Sequence, residues 1–185
     1  MNRCAPLALV ALLACSPEAT DPTPAAVEQA VESPHPGLLV TYADPASRWR
    51  FAMPAPLRVR ATRFDPTTPA HKVKERFEIS QDDHLVVRVD VWDNPEGLAP
   101  TAWIDAHAAY LRNGGVTLQE RKVGKEGRLA IVADPPRSCQ APNVVTAVFG
   151  TGKHMVAVTC ADGEDLAARE AFDTVLGSFA KGEGR

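Results

Sequence analysis

The chain has 185 residues, of which 45% are hydrophobic, and its formal net charge at pH 7 is -3. This length and hydrophobic content are enough for one hydrophobic core of ordinary size. The slightly negative charge excludes the strongly basic balance that is typical of nucleic-acid-binding proteins. The composition therefore predicts a single globular domain with no nucleic acid partner.

The N-terminus has the layout of a secretory signal. Arg3 precedes an apolar run from Ala5 to Ala14, and Leu12-Leu13-Ala14-Cys15 resembles the lipobox of bacterial lipoproteins, whose Cys is diacylated. The run has about half of the ~20 apolar residues that a membrane-spanning helix needs. An ordinary secretory signal is the alternative, but Leu12 at this position is typical of a lipobox. We expect a signal peptide at residues 1–14 and a lipid on Cys15.

Residues 15–36 differ in composition from the rest of the chain. Their prolines lie among Ala, Glu, Thr and Ser, and the segment has no Phe, Trp or Tyr. Such a segment buries too little apolar surface to offset the entropy cost of ordering it. We therefore expect a flexible tether. Ser16, directly after the lipidated Cys, favours delivery to the outer membrane with the domain facing the periplasm.

From Leu38 onward the pattern is mainly that of strands, because apolar and polar residues alternate with a period of two. The sequence around Gly150-Thr151-Gly152 predicts a hairpin between the last two strands. The predicted strands are Leu38–Tyr42, Trp49–Phe51, Leu57–Thr62, Lys72–Ile79, Leu85–Val91, Val116–Val123, Arg128–Ala133, Val144–Phe149 and His154–Cys160.

Two segments have apolar residues at helical spacing. The first begins near Thr101 and ends at Gly114-Gly115. Its apolar face has five members: Trp103, Ile104, His107, Ala108 and Leu111. The second runs from about Glu164 to Gly177. Its inner face also has five: Ala168, Phe172, Val175, Leu176 and Phe179.

The order of these elements resembles that of the PsbP-like domains. Tyr42-Ala43-Asp44 and the later Trp49-Arg50-Phe51-Ala52-Met53-Pro54 are similar to the opening of that family, and Leu176-Gly177-Ser178-Phe179 to the end of its last helix. The resemblance implies an α+β fold, an α/β/α sandwich around a mainly antiparallel sheet. It places one domain at residues 37–181 and a disordered tail at 182–185. Because the superfamily is mostly non-enzymatic, the resemblance also implies a binding or accessory role.

Two cysteines remain after processing, because Cys4 leaves with the signal and Cys15 carries lipid. In an oxidising compartment, the even pair Cys139 and Cys160 predicts one disulfide. The alternative is that Cys139 is a nucleophile beside a His, as in thiol hydrolases. The residues around Cys139 reproduce no thiol-protease signature.

The other patterns of catalytic and metal sites are incomplete. No serine lies in a Gly-x-Ser-x-Gly motif, and Gly150-Thr151-Gly152-Lys153 lacks the first Gly and the last Ser or Thr of a phosphate-binding loop. The five histidines have no paired metal-ligand spacing, and an exposed turn explains Asp82-Asp83-His84. We therefore expect a non-catalytic protein with no metal and no cofactor.

Basic residues occupy the outward positions of three predicted strands. On neighbouring strands they would form a basic face that suits anionic lipid, an envelope polymer or an acidic envelope protein. The alternative is that they only solvate the sheet and protect its edges, with Glu75, Glu78 and Asp90 weakening the field. The six residues are Arg58, Arg60, Lys72, Lys74, Arg76 and Arg88.

Together these features predict a membrane-tethered envelope lipoprotein that acts as a non-catalytic binding or accessory module. Its partners would be the membrane, through the lipid, and an envelope protein or anionic envelope component. One alternative is a lipid-anchored hydrolase with an unrecognised site. The other is a small-ligand carrier, with a pocket between sheet and helix lined by residues such as Trp103 and Phe172.

Overall fold

The computed structural model describes residues 27–29, 37–44, 46, 49–65, 67, 69, 72–134 and 143–182. The signal peptide, Cys15, most of the tether and Cys139 lie outside the described residues. No helix in the described part of the chain is both long and apolar enough to cross a membrane.

The described residues form eleven strands, two α-helices and one 3-10 helix. The strands are β1 (Val27–Gln29), β2 (Leu39–Ala43), β3 (Trp49–Pro54), β4 (Arg58–Arg63), β5 (Glu75–Gln81), β6 (His84–Asp93), β7 (Thr117–Val123), β8 (Arg128–Asp134), β9 (Val145–Thr151), β10 (His154–Cys160) and β11 (Ala180–Lys181). The helices are α1 (Pro100–His107), the 3-10 helix (Ala109–Gly115) and α2 (Leu166–Ser178).

Eight strands make the large sheet, in the order β1-β4-β5-β6-β10-β9-β8-β7, and β11-β3-β2 make a small one. Every pair in both sheets is antiparallel. The predicted hairpin is confirmed, with Thr151 opposite His154 and Cys160 opposite Val145. The nine predicted strands and two predicted helices are present. Most of their ends differ from the predicted ones by a few residues.

The inner face of the large sheet holds the main hydrophobic core. Helix α2 and the small sheet pack against this face, and their aromatic rings meet around Phe179. The Phe179 ring stacks on Trp49 at 5.2 Å and on Phe51 at 5.8 Å between ring centroids. Helix α2 begins at an N-cap, where the Asp165 side chain accepts hydrogen bonds from two backbone amides of the first turn.

The outer face of the same sheet is covered on one side by helix α1. Trp103 and Ile104 of the helix pack against Ile131 of β8, Val148 of β9 and Met155 of β10. Because neighbouring residues of a strand point to opposite faces, Met155 and Val156 belong to the outer and inner clusters respectively. With helices on both faces of an antiparallel sheet, the predicted α/β/α sandwich is confirmed.

Three local features differ from the predictions. Val27–Gln29, inside the predicted tether, pairs with β4, where sequence analysis assigns no strand. Three residues are too few to show a strand period, and the edge of β4 supplies the backbone partners. The first helix ends at His107, because Ala108 leaves the helical region at φ -137°, and a 3-10 helix follows. Strand β11, also unpredicted, extends the small sheet beyond α2.

Candidate binding face

We use the name open face for six polar residues on the outer side of strands β4, β5 and β6. Helix α1 contacts β8 and β9, whereas α2 contacts β6 from the inner side. The six residues are Arg58, Arg60, Arg76, Glu78, Ser80 and Arg88. The sheet register brings three of the charges into one row, with Arg60 opposite Glu78 and Glu78 opposite Arg88.

One buried carboxylate organises the two half-buried arginines of this face. Arg76 donates to Asp90 through Nε at 2.6 Å and through Nη2 at 3.3 Å. The Nε of Arg88 lies 3.1 Å from Oδ2 of the same carboxylate, without the alignment of a hydrogen bond. The hydrogen bond to Asp90 raises the pKa of Arg76 above its usual value. Arg76 and Arg88 are therefore fixed by an internal partner.

Arg58 and Arg60 differ from those two arginines. Both are exposed, and neither forms an ion pair with a described residue. Their neighbours Val59 and Ala61 are buried on the inner face, so the alternation of β4 holds both guanidinium groups outward. Both guanidinium groups therefore lie at the surface, where a partner can contact them.

A groove of about 740 Å³ lies beside Arg58 and Arg60. Its volume is within the range of ~300–1,000 Å³ that is usual for ligand sites, although its lining is more polar than theirs. Glu78 and Ser80 of β5 also line it, together with Leu85 and the turn residues Asp82 and Asp83.

Asp82 and Asp83 form the two-residue turn between β5 and β6. Their φ angles are 47° and 66°, the left-handed conformation that such a hairpin turn requires and that Asp tolerates. The prediction of an exposed turn here is confirmed. Sequence analysis missed that this turn borders a groove, because the pattern of one strand does not show how β4 lies beside it.

Leu85 reaches the groove because of a bulge in β6. The register places Ile79 opposite Val87 but Ser80 opposite Leu85, so Val86 is the extra residue. Strict alternation along the predicted strand Leu85–Val91 places Leu85 inward with Val87, and this prediction is wrong: Leu85 is 42% exposed, whereas Val86 packs against the core.

The predicted basic face is brought together only in part. Arg58, Arg60, Arg76 and Arg88 lie on the open face. Lys72 and Lys74 precede β5, which begins at Glu75, so the prediction that they lie on the strand is wrong. The Lys74 ammonium lies 3.7 Å from Asp93 at the end of β6. Glu78 and Asp90 alternate with the arginines, so the face has mixed charge.

Trp103 and Phe172, which were proposed to line one carrier pocket, do not lie together. Trp103 packs in the outer cluster under α1, and Phe172 in the inner core under α2, so the sheet separates them. Both side chains are buried. Trp103 by itself lines a smaller cavity of about 150 Å³, together with residues that include Asp93, Glu96 and His107. His107 itself is exposed.

Cys160 lies at the end of β10 and is fully buried in the inner core. Its Sγ lies 3.2 Å from the backbone oxygen of Asp162, to which it donates. Burial raises the pKa of the Cys160 thiol, which disfavours the reactive thiolate. Because Cys139 lies outside the described residues, the disulfide stays a prediction.

The chain and its fold can be compared with known proteins. No protein-family model and no curated protein matches the chain. Among solved structures, the chain is similar to the solution structure of cyanobacterial PsbP (CyanoP) from Synechocystis sp. PCC 6803. The sequence identity is 15%, the match covers 77% of this chain and 91% of that chain, and the TM-score is 0.47. This neighbour is a member of the family that the element order resembles.

Proposed function

We propose that the protein is a membrane-tethered envelope lipoprotein that acts as a non-catalytic binding module through its open face. The observation that carries this proposal is the uneven cover of the large sheet. Helix α1 packs over β8, β9 and β10, whereas Arg58 and Arg60 on β4 remain exposed beside a groove. Exposed arginines on a rigid sheet suit the recognition of a carboxylate or phosphate group in a partner.

The sheet gives this face the rigidity that a binding module needs. Strand β4 is held by β5 along six register pairs, and its inward residues Val59 and Ala61 are buried. The backbone under Arg58 and Arg60 is therefore ordered before a partner arrives. Pre-ordering lowers the entropy cost of binding.

Membrane attachment rests on the lipobox-like residues that end at Cys15. Two acyl chains give stable anchoring, because each buried CH2 group contributes ~0.8 kcal/mol and one chain alone binds only marginally. We expect a palmitate analogue fed to cells to label the wild type and not Cys15→Ala. Label retained on Cys15→Ala would overturn the assignment of this residue.

Photo-crosslinking in the native envelope tests the open face. Arg60 is replaced by p-benzoylphenylalanine, and the matched control carries the same group at Lys122, which is exposed on β7 at the far edge of the same sheet. We expect a specific adduct from position 60 that is absent from position 122. Equal adducts from both positions, or none from position 60, would overturn the role of this face.

A further inference from the structure

We propose that the groove of the open face binds an extended peptide segment that carries both a carboxylate and an ammonium group. This inference rests on the proposed function and names the partner's chemistry. Its basis is the charge of the groove walls. Arg58 and Arg60 stand on one side, and Asp82 and Asp83 stand at the hairpin turn on the other.

The two charge pairs select for a ligand of both signs. The planar guanidinium groups of Arg58 and Arg60 match a carboxylate through paired N–H donors. The adjacent Asp82 and Asp83 are both exposed, and two like charges side by side attract an ammonium group. A ligand with only one sign of charge would gain at one wall and be repelled at the other.

The turn aspartates also argue against a flat membrane surface as the occupant. An anionic bilayer that approached Arg58 and Arg60 would bring its phosphates against Asp82 and Asp83, which line the same groove. A slender ligand avoids this repulsion because its groups of opposite sign can be separated along its length. The concave shape likewise disfavours a second copy of the same face, since two grooves leave space between them.

The dimensions of the sheet set the spacing of the two ligand charges. Arg58 lies opposite Ser80, and the turn begins two residues later at Asp82. The turn lies one to one and a half strand spacings away from β4 and two residues further along the strand direction. The backbone of Arg58 is therefore roughly 8–10 Å from the backbone of the turn. An extended peptide covers about 10 Å in three residues. A Glu and a Lys three positions apart therefore fit both walls.

The floor of the groove supplies contacts of the kind that a peptide needs. The half-buried Ser80 hydroxyl can donate a hydrogen bond to a backbone carbonyl of the peptide or accept one from a backbone N–H. Leu85 is 42% exposed there and can pack on an apolar part of the ligand. The bulge at Val86 is what brings Leu85 to this side of the sheet. Glu78, which lies opposite Arg60, also lines the groove, so its charged walls are combined with charged, polar and apolar side chains on β5 and β6.

Fluorescence anisotropy with labelled pentapeptides tests the inference on the full-length protein in detergent. The three end-blocked probes have the same length and differ at two positions: Glu and Lys three residues apart, two Glu, or two Lys. We expect the mixed probe to bind about tenfold more tightly than either other probe, because each of those loses one charge-assisted contact. Added salt should weaken this preference. Equal binding of the three probes, or no binding of the mixed one, would overturn the inference.

Two double variants separate the walls. Arg58→Gln with Arg60→Gln should abolish the preference for the mixed probe over the two-Lys probe. Asp82→Asn with Asp83→Asn should abolish its preference over the two-Glu probe, and Asn keeps the turn because it tolerates positive φ. The control is Arg121→Gln with Lys122→Gln on β7, which should leave all three affinities unchanged. If both wall variants bind the mixed probe as tightly as the control does, the inference is overturned.

Two further outcomes decide between occupants. Anionic vesicles that bind through Arg58 and Arg60 while the mixed probe does not bind would point to a membrane surface and overturn the peptide. Sedimentation that shows a dimer lost in either wall variant, again without peptide binding, would point to a second copy and overturn it too. A specific crosslink from position 60 together with failed peptide binding would leave the proposed function standing and refute only this partner.

Discussion

The guanidinium carbon of Arg128 lies 4.0 Å from the centroid of the Phe149 ring. From this position Arg128, the first residue of β8, donates to the backbone oxygens of Phe179 at 2.9 Å and Leu176 at 3.2 Å. These carbonyls belong to the C-terminal end of α2, whose own last turn has no basic residue. Arg128, a cation on β8, thus satisfies carbonyl oxygens at the negative end of α2 and fixes this helix on the core.

Replacing Arg128 by Met should destabilise the domain by about 2–3 kcal/mol, because it removes two hydrogen bonds and a cation–π contact while keeping the apolar stem. Urea unfolding measures the change. The matched control is Arg121→Met, since the Arg121–Asp173 ion pair is 3.0 Å long but about half exposed on both sides. We expect a loss of no more than about 1 kcal/mol there. Similar losses in both variants would contradict the role of Arg128 as a helix cap.

Gly124 is expected to tolerate no side chain. Its φ is +70°, and a Cβ atom would lie 2.6 Å from the backbone oxygen of Gly177 at the end of α2. Gly124→Ala should therefore destabilise the fold by at least about 2 kcal/mol, through the left-handed backbone and the clash together. Thermal and urea unfolding both report this change.

Gly127→Ala is the control for that prediction. Gly127 lies in the same turn with φ +62°, but a Cβ there meets no atom within 4 Å. Gly127→Ala should therefore lower the free energy of unfolding only through the left-handed backbone, by about 1–2 kcal/mol. A Gly124→Ala loss no greater than that of Gly127→Ala would show that the approach to Gly177 is not close in solution.

Sequence reasoning recovers the elements of this fold because the inner face is continuous. Phe77 and Val89 alternate with polar residues of β5 and β6, so periodicity reveals them. The same rule fails at Leu85, because a one-residue bulge reverses the facing of the side chains before it. It also fails after His107, where helical spacing continues to Leu111 but the backbone changes to a 3-10 helix.

The candidate site is only half visible in the sequence. Alternation in β4 identifies Arg58 and Arg60 as outward residues, and both are exposed. It cannot show that Asp90, at an outward position, is buried between Arg76 and Arg88. Nor can it show that Asp82 and Asp83 border a groove with β4, because that depends on the pairing of three strands. The sequence of one strand shows which side of the sheet a residue points to, but not which residues of other strands lie beside it.

His154 should make stability fall as the solution is acidified. Burial lowers its pKa below the usual 6.5, and Lys181 acts in the same direction against the weaker opposing effects of Asp93 and Glu75. The unfolded chain therefore takes up a proton first as pH falls through about 6.5, while the folded imidazole stays neutral. Stability that is present above pH 6.5 is lost on descending toward the lower folded pKa.

The free energy of unfolding at pH 7.5 and at pH 5.5 measures this effect. We expect the loss between the two values to be larger in the wild type than in His154→Gln, which has no proton to take up. His84→Gln, an exposed position at the start of β6, is the control and should behave as the wild type. Identical losses in wild type and His154→Gln would contradict the prediction. The Trp49 ring, 5.4 Å from the His154 ring, should report the change by its fluorescence.

A disulfide between Cys139 and Cys160 should staple the segment before β9 to the large sheet. Cys160 stands opposite Val145, so the partner strand carries the chain back toward Cys139, six residues earlier. In the chain-entropy account, closing a loop of about 20 residues stabilises the fold by roughly 3 kcal/mol.

Protein prepared from the envelope without reductant and alkylated at once should give a linked peptide pair by mass spectrometry. Reductant should then lower the unfolding free energy of the wild type but leave that of Cys139→Ser unchanged. Two alkylated thiols in the unreduced protein would contradict the disulfide and restore Cys139 as a free, reactive residue.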